Sequence, residues 1–326
     1  MTAVLVVALL GVVLLAAAFG GPWLLRQAAP ALATVPRFAA TSVSATALIW
    51  IAALLALGPV VAWISRGPAW LPADAAAVCG QCLAAATPFS DSLVSVAIPP
   101  LLPLLLPLIG GGLVAVGLWH EFSLLRQARR RIVERLGDAN REVTMLGYRV
   151  SVVDDDGCFA FSLPRGTGGI VLSRGAASSL SPGELAAVLH HEEAHLRQRH
   201  HLLLALLNGA THFFRRVPLI QAARDAAPHY LEIAADHAAK RETGTTALAS
   251  ALLKLGTPTR IIGEASHPRS AVLHAAGSER VRLLIGEPRP PESIALAIAA
   301  GAYVMMLVTA VISVNAPYLL AVAAGC

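Results

Sequence analysis

The sequence predicts a mainly α integral membrane protein: four transmembrane helices, with a cytoplasmic α+β domain between the third and fourth. Three observations carry this. Of 326 residues, 56% are hydrophobic and 14% charged, against about 25% charged in soluble proteins. The charges are segregated: before Trp119 there are only Arg26, Arg37, Arg66, Asp74 and Asp91, and none follows Glu292. Four stretches, residues 1–25, 38–65, 92–119 and 293–326, contain no Asp, Glu, Lys or Arg. Such a composition excludes an ordinary soluble enzyme, a disordered regulator and a secreted disulfide scaffold.

A helix needs about 20 apolar residues to cross the hydrocarbon core. The expected spans are residues 4–23, 45–64 and 100–119 within a membrane domain 1–119, and 294–314 within 293–326, which ends in a short outer tail. The first run lacks a positive leading segment and a second span follows it, so it reads as a span, not a cleaved signal. Pro99, Pro100, Pro103 and Pro107 open the third span, and a kink is expected near Pro107. Arg26 and Arg37 lie between spans one and two, and Arg126, Arg129, Arg130, Arg131 and Arg135 follow span three. The positive-inside rule therefore puts the domain 120–292 in the cytoplasm and both termini outside, in a plasma (inner) membrane. The arginine stretch reads as an anchor against anionic lipid, and no direct nucleic-acid binding is expected. Cys79 and Cys82 form a C-x-x-C in an outer loop, either a disulfide or two thiols. Cys158 reads as a small buried hydrophobe, and Cys326 forms no prenylation box.

Within the domain, a helix continues from span three to about Asn140. Residues 148–153, 158–163 and 170–173 then read as strands, the last two joined by the glycine-rich turn 165–169. Asp154, Asp155 and Asp156 read as a solvated turn, because their spacing lacks a Ca²⁺-loop pattern. Ser181-Pro182-Gly183-Glu184 marks a helix start: Ser181 caps, Pro182 fits the first position and Glu184 closes a capping box.

That helix carries His191-Glu192-Glu193-Ala194-His195, an H-E-x-x-H. Histidines four residues apart project from one face and can chelate one Zn²⁺. Glu192 stands about 100° round the helix, suited to take a proton from water activated at the metal during attack on a peptide carbonyl. His190 and Glu193 are expected to point away. A catalytic zinc needs a third protein ligand. His201 has the sequence offset of a third histidine, but that pattern needs a chain-turning glycine where Gln198 stands, and a continuing helix would carry His201 away. Glu232 is the favoured candidate, on a helix starting near Asp225 or Pro228, with Asp236 one turn on to accept an N–H from a ligand histidine. His229 and Tyr230, just before Glu232, are candidate oxyanion donors. His200, His212 and His237 read as surface or core residues.

The motif His191–His195 with Glu232 and Asp236 resembles the gluzincin membrane peptidases: HtpX-type, CAAX-prenyl-protease-type and BlaR/MecR-type enzymes. His267-Pro268 and Ser278-Glu279-Arg280-Val281 resemble a short element after the third ligand. The resemblance covers residues 148–284 and implies a zincin-like metallopeptidase domain with one Zn²⁺ on His191, His195 and Glu232. It also implies Glu192 as general base and Asp236 as orienting carboxylate. Phe159, Ala160, Phe161 and Ser162 resemble the edge strand to which such enzymes add an extended substrate. Three spans before the motif and one after is similar to the BlaR/MecR type. The chain stops soon after span four, so the penicillin-binding sensor domain of those transducers is not expected.

The resemblance implies a zinc endopeptidase cleaving a cytoplasmic protein, with a transcriptional repressor of winged-helix type as the expected partner alongside the bilayer. Membrane-protein quality control, as in HtpX-type proteases, is the second reading. A non-catalytic signalling or scaffold protein with a structural zinc is the third, and Glu192 argues against it.

Overall fold

The computed structural model describes residues 2–66, 101–136, 141–163 and 169–255, with residues 301, 302, 305 and 309. Helix α1 covers Thr2–Leu32, α2 covers Pro36–Arg66 and α3 covers Leu101–Leu136. Each contains a stretch long and apolar enough to cross a bilayer: Val7–Leu32, Pro36–Gly58 and Leu105–Ala128. The loop expected around Arg26 and Arg37 is a three-residue turn, and both arginines are helical. One arginine at the end of an apolar run does not break a helix, since its stem can lie along the helix with the charge toward water. Pro107 lies inside α3. Apart from the four isolated residues, the expected fourth span lies outside the described residues, as do Cys79, Cys82, Cys326, His267, Pro268 and 278–281.

An indole N–H inside a bilayer has no water to bond. Trp50 Nε1 donates to the Leu14 carbonyl at 2.9 Å and ties α2 to α1.

After α3 comes a four-stranded sheet in the order β1-β2-β4-β3. Its strands are β1 (Arg141–Met145), β2 (Tyr148–Val153), β3 (Ala160–Ser162) and β4 (Ile170–Ser173). Strands β1 and β2 form a hairpin in register Val143↔Val150, β2 and β4 are parallel, and β3 is antiparallel to β4 with Phe161↔Val171. The hairpin turn is Leu146-Gly147, both at positive φ, as the right-handed strand twist favours. Strand β1 is not evident in the sequence, where its Arg, Glu and Thr hide the alternation. The expected strand 158–163 shortens to Ala160–Ser162. Cys158 is partly exposed rather than buried, its Sγ 3.4 Å from Ser179 Oγ. Arg174 bridges Asp154 and Asp156, whose carboxylates are exposed.

Five helices follow: α4 (Arg174–Ser179), α5 (Pro182–Arg197), α6 (His200–Ala210), α7 (Pro218–Thr243) and α8 (Thr245–Leu255). One face of α5 lies on the sheet: Val188, Leu189 and Leu196 share a core with Val150, Ile170 and Leu172. Helix α7 packs differently. Its Leu219, Ile220, Ala223, Tyr230, Leu231 and Ile233 share one core with Leu14, Ala17, Val43 and Trp50 of α1 and α2. The core is thus continuous from the membrane helices into the segment after α3. Helix α6 crosses α3 closely at paired glycines. A Cβ on Gly209 would stand 2.9 Å from Leu118 Cα, and one on Gly117 would collide with the Gly209 carbonyl.

Candidate metal centre

Helix α5 starts as its sequence dictates. Ser181 Oγ accepts from the Glu184 N–H, and Glu184 Oε2 accepts from the Ser181 N–H at 2.7 Å. Lys254 Nζ at 2.6 Å and Ser250 Oγ at 2.5 Å also donate to Glu184, fastening α8 to the start of α5. These donors, Lys254 first, hold the Glu184 carboxyl down to about 2.

Two turns on, His191 and His195 project from α5 toward α7. Their Nε2 atoms are 3.1 Å apart. One Glu232 oxygen lies 3.5 Å from His191 Nε2 and the other 3.4 Å from His195 Nε2. Ligands about 2.0–2.1 Å from a tetrahedral zinc are separated from one another by about 3.3–3.4 Å. Each imidazole faces a different Glu232 oxygen, the separations of 3.1–3.5 Å are close to that spacing, and two imidazoles with a carboxylate suit zinc. Among the described residues this is the group able to hold a metal ion, and it includes neither His201 nor Asp236.

The electrostatics agree. Burial opposes a charge on His191, but Asp236 and Glu232 outweigh it and push its pKa up to about 10. Burial pulls His195 down to about 3 despite Glu232. The Asp236 and Glu232 carboxylates thus favour positive charge at His191. Asp236 is 2% exposed, and its Oδ1 lies 3.1 Å from His191 Nδ1, off the ideal hydrogen-bond line. It faces the ring nitrogen on the far side from Glu232, which lies near His191 Nε2.

The chain after the motif departs from expectation. Helix α5 does not continue. Gln198 ends it and Arg199 takes a left-handed conformation at φ 53°, so the chain turns without a glycine. His200 and His201 therefore come back to the site instead of being carried away. Gln198 Oε1 accepts from His200 Nε2 at 3.2 Å, leaving His200 Nδ1 as an acceptor 2.9 Å from His195 Nδ1. Burial keeps His200 neutral, its pKa lowered to about 4. The chain of contacts fixes the His195 proton on Nδ1 and leaves the Nε2 lone pair for a metal. Spacing alone gave no signal for His200, because its position depends on the unusual Arg199 backbone.

His201 joins the site to the sheet: its Nε2 is 3.3 Å from Ser162 Oγ on β3, and its ring lies beside that of His195. Strand β3 is at a sheet edge and runs beside α5. Phe159 and Phe161 stack with ring centroids 6.1 Å apart. His190 accepts or donates one hydrogen bond with Tyr148 OH at 3.1 Å, away from the cluster. Glu192 is partly buried on α5.

Helix α7 begins at Pro218, earlier than expected, and runs through Pro228. The apolar face that α7 presents to α1 and α2 carries it past the sequence's proline signal. Tyr230 is 3% exposed within that membrane-helix core, and burial pushes its phenol up to about 12. It stands about 200° round the helix from Glu232, so its expected role as an oxyanion donor is corrected. His229, three residues before Glu232, is on Glu232's side of α7.

Two histidines from α5 and a carboxylate from α7 thus form a group that could hold one metal ion. Compared with known families, residues 123–255 match peptidase family M48, which supports a metallopeptidase, typically zinc-dependent, associated with membrane helices. No curated protein and no solved structure matches the chain.

Proposed function

We propose that the protein is a membrane-embedded zinc endopeptidase, with His191, His195 and Glu232 as ligands and Glu192 as general base. The single observation behind this is the convergence of the three side chains, with nitrogen–nitrogen and nitrogen–oxygen separations of 3.1–3.5 Å. Zinc held there supplies Lewis-acid activation of water and of the scissile carbonyl. Glu192 takes a proton from the attacking water as its oxygen bonds to the carbonyl carbon. It then passes that proton to the departing nitrogen as the C–N bond breaks, giving a carboxylic acid and an amine, which ionise to carboxylate and ammonium. Asp236 and His200 hold the two imidazoles in orientation. An extended substrate adds to the free edge of β3 through main-chain hydrogen bonds, and His229 is the remaining donor candidate for the developing oxyanion.

Arg26, Arg37 and the arginines from Arg126 onward favour the cytoplasmic side of a plasma membrane for the centre. The substrate class we propose is a cytoplasmic protein, a winged-helix repressor by resemblance to the BlaR/MecR type. The test compares purified wild type with Glu192→Gln. Both should bind one zinc per chain, and the variant should lose about 10²–10⁴-fold in cleavage. Equal cleavage by both proteins sinks the peptidase mechanism. Proteomic comparison of cells carrying either form separates substrates: one stabilised repressor supports regulated cleavage, and many stabilised membrane proteins replace it with quality control.

A further inference from the structure

We infer that the cavity beneath the α1–α2 turn binds a phosphate-bearing anion, namely the headgroup of an anionic lipid. The cavity measures about 390 Å³ and lies between that turn, the end of α5 and the C-terminal part of α7. Arg37, Arg197 and Arg241 line it with His237 and Gln198, against one carboxylate, Glu242. All three arginines are exposed, and none forms an ion pair with a described carboxylate. Three guanidinium groups facing one concavity suit a phosphate, which accepts bidentate hydrogen bonds from each. Helix α2 also begins at this cavity, with no acidic residue in its first turn to neutralise its N-terminal N–H groups.

The position of the cavity selects the source of the phosphate. The candidate spans Val7–Leu32 and Pro36–Gly58 meet at this turn, so the turn marks where hydrocarbon gives way to headgroups. Val35 and Phe38 are exposed on either side of Arg37, apolar groups suited to acyl chains next to a cation suited to phosphate. The same cavity touches the metal centre's supports. Gln198 fixes the tautomer of His200, and His237 directly follows Asp236 on α7. A bound headgroup would thus brace the α5–α6 junction against the membrane helices. Binding is independent of whether the centre is a peptidase.

The test uses full-length protein in neutral detergent. Thermal unfolding is followed while dioctanoyl phosphatidylglycerol, dioctanoyl phosphatidylcholine, glycerol phosphate or inorganic phosphate is added. Phosphatidylglycerol is expected to raise Tm most. Arg37→Gln/Arg241→Gln should raise its half-saturating concentration about two- to thirtyfold, the worth of two partly exposed charge contacts. Arg149→Gln/Arg216→Gln, which removes equal charge at two exposed positions outside the cavity, should respond as wild type. Glu242→Gln removes the cavity's carboxylate and should tighten binding, an outcome that no folding defect can imitate. Glycerol phosphate or inorganic phosphate acting as strongly as the lipid, with the same dependence on Arg37 and Arg241, supports the phosphate site and reassigns its source to a soluble compound. The inference is overturned by an equal lipid response in wild type and the Arg37/Arg241 variant, or by no response to any phosphate compound.

Discussion

Replacing His200 by alanine removes the acceptor for His195 Nδ1 at a buried position, since His200 is 2% exposed. A buried donor left without a partner costs about 1–3 kcal/mol. Loss of a histidine's outer hydrogen bond weakens metal binding by about 10–100-fold, or about 1.4–2.7 kcal/mol. The two routes agree, so His200→Ala should bind zinc about 10–100-fold more weakly than wild type. His200→Asn sets a side-chain oxygen near the lost Nδ1 and should recover most of that affinity. Gln198→Leu frees His200 to take the other tautomer and should give an intermediate loss. Competition with a chromophoric chelator measures all three, and unfolding in excess chelator reports any change in the metal-free fold. Wild-type affinity in His200→Ala, or no recovery in His200→Asn, would refute the proposed orientation of His195.

Asp236→Asn withdraws the charge 3.1 Å from His191 Nδ1 and should weaken zinc binding by about 10–100-fold; unchanged affinity in the same competition assay counts against its orienting role. Gly209→Leu drives side-chain atoms into Leu118 at the α3–α6 crossing and should lower stability by about 1–3 kcal/mol, read as a fall in Tm. The Glu184 pKa is depressed on folding, so its contribution is complete above its ordinary value of 4.5 and is lost as pH falls toward about 2. Lys254→Met should therefore lower Tm near pH 6 and have progressively less effect between pH 4.5 and about 2; a Tm difference that stays constant over this range contradicts the pairing. Removing residues 1–66 exposes Leu219, Ile220, Leu231 and Ile233 on α7, each worth about 1.5–3 kcal/mol of burial, a sum comparable to a whole domain's stability of about 5–15 kcal/mol. The shortened protein should lose stoichiometric zinc binding, and its retention would show that α7 is held without the membrane helices.

The parts of this protein that are legible in sequence are those governed by local rules. Charge-free runs predicted α1, α2 and α3, because only a helix satisfies its own backbone in hydrocarbon. Ser181, Pro182 and Glu184 predicted the start of α5 for the same kind of reason: each acts on backbone groups within three residues. The i,i+4 spacing put His191 and His195 on one face without reference to the rest of the fold. Glu232 required one step more, a choice between two candidate ligands, and the absent glycine argued for it. That choice and its reasoning part company in the structure. Glu232 converges with the histidines, yet the chain does turn after Gln198, because Arg199 adopts the left-handed conformation that glycine would have taken.

Where sequence reading failed, distant parts of the chain decide the outcome. Nothing within a helical turn of His200 reveals that it supports His195; that depends on one backbone angle. Nothing around Pro228 shows that α7 runs through it, because the compensation lies some two hundred residues earlier, in α1 and α2. The same remote packing puts Tyr230 into the membrane-helix core while Glu232, two residues on, faces the histidines. Successive pairs of residues on a helix point to nearly opposite sides, so a helix wedged between a membrane core and a metal site must alternate apolar and ligating roles at that spacing. Leu231 and Ile233, on either side of Glu232, hold this part of α7 by packing against α1 and α2. The position of Glu232 thus depends on packing against α1 and α2, whereas the placing of His191 and His195 on one face of α5 does not.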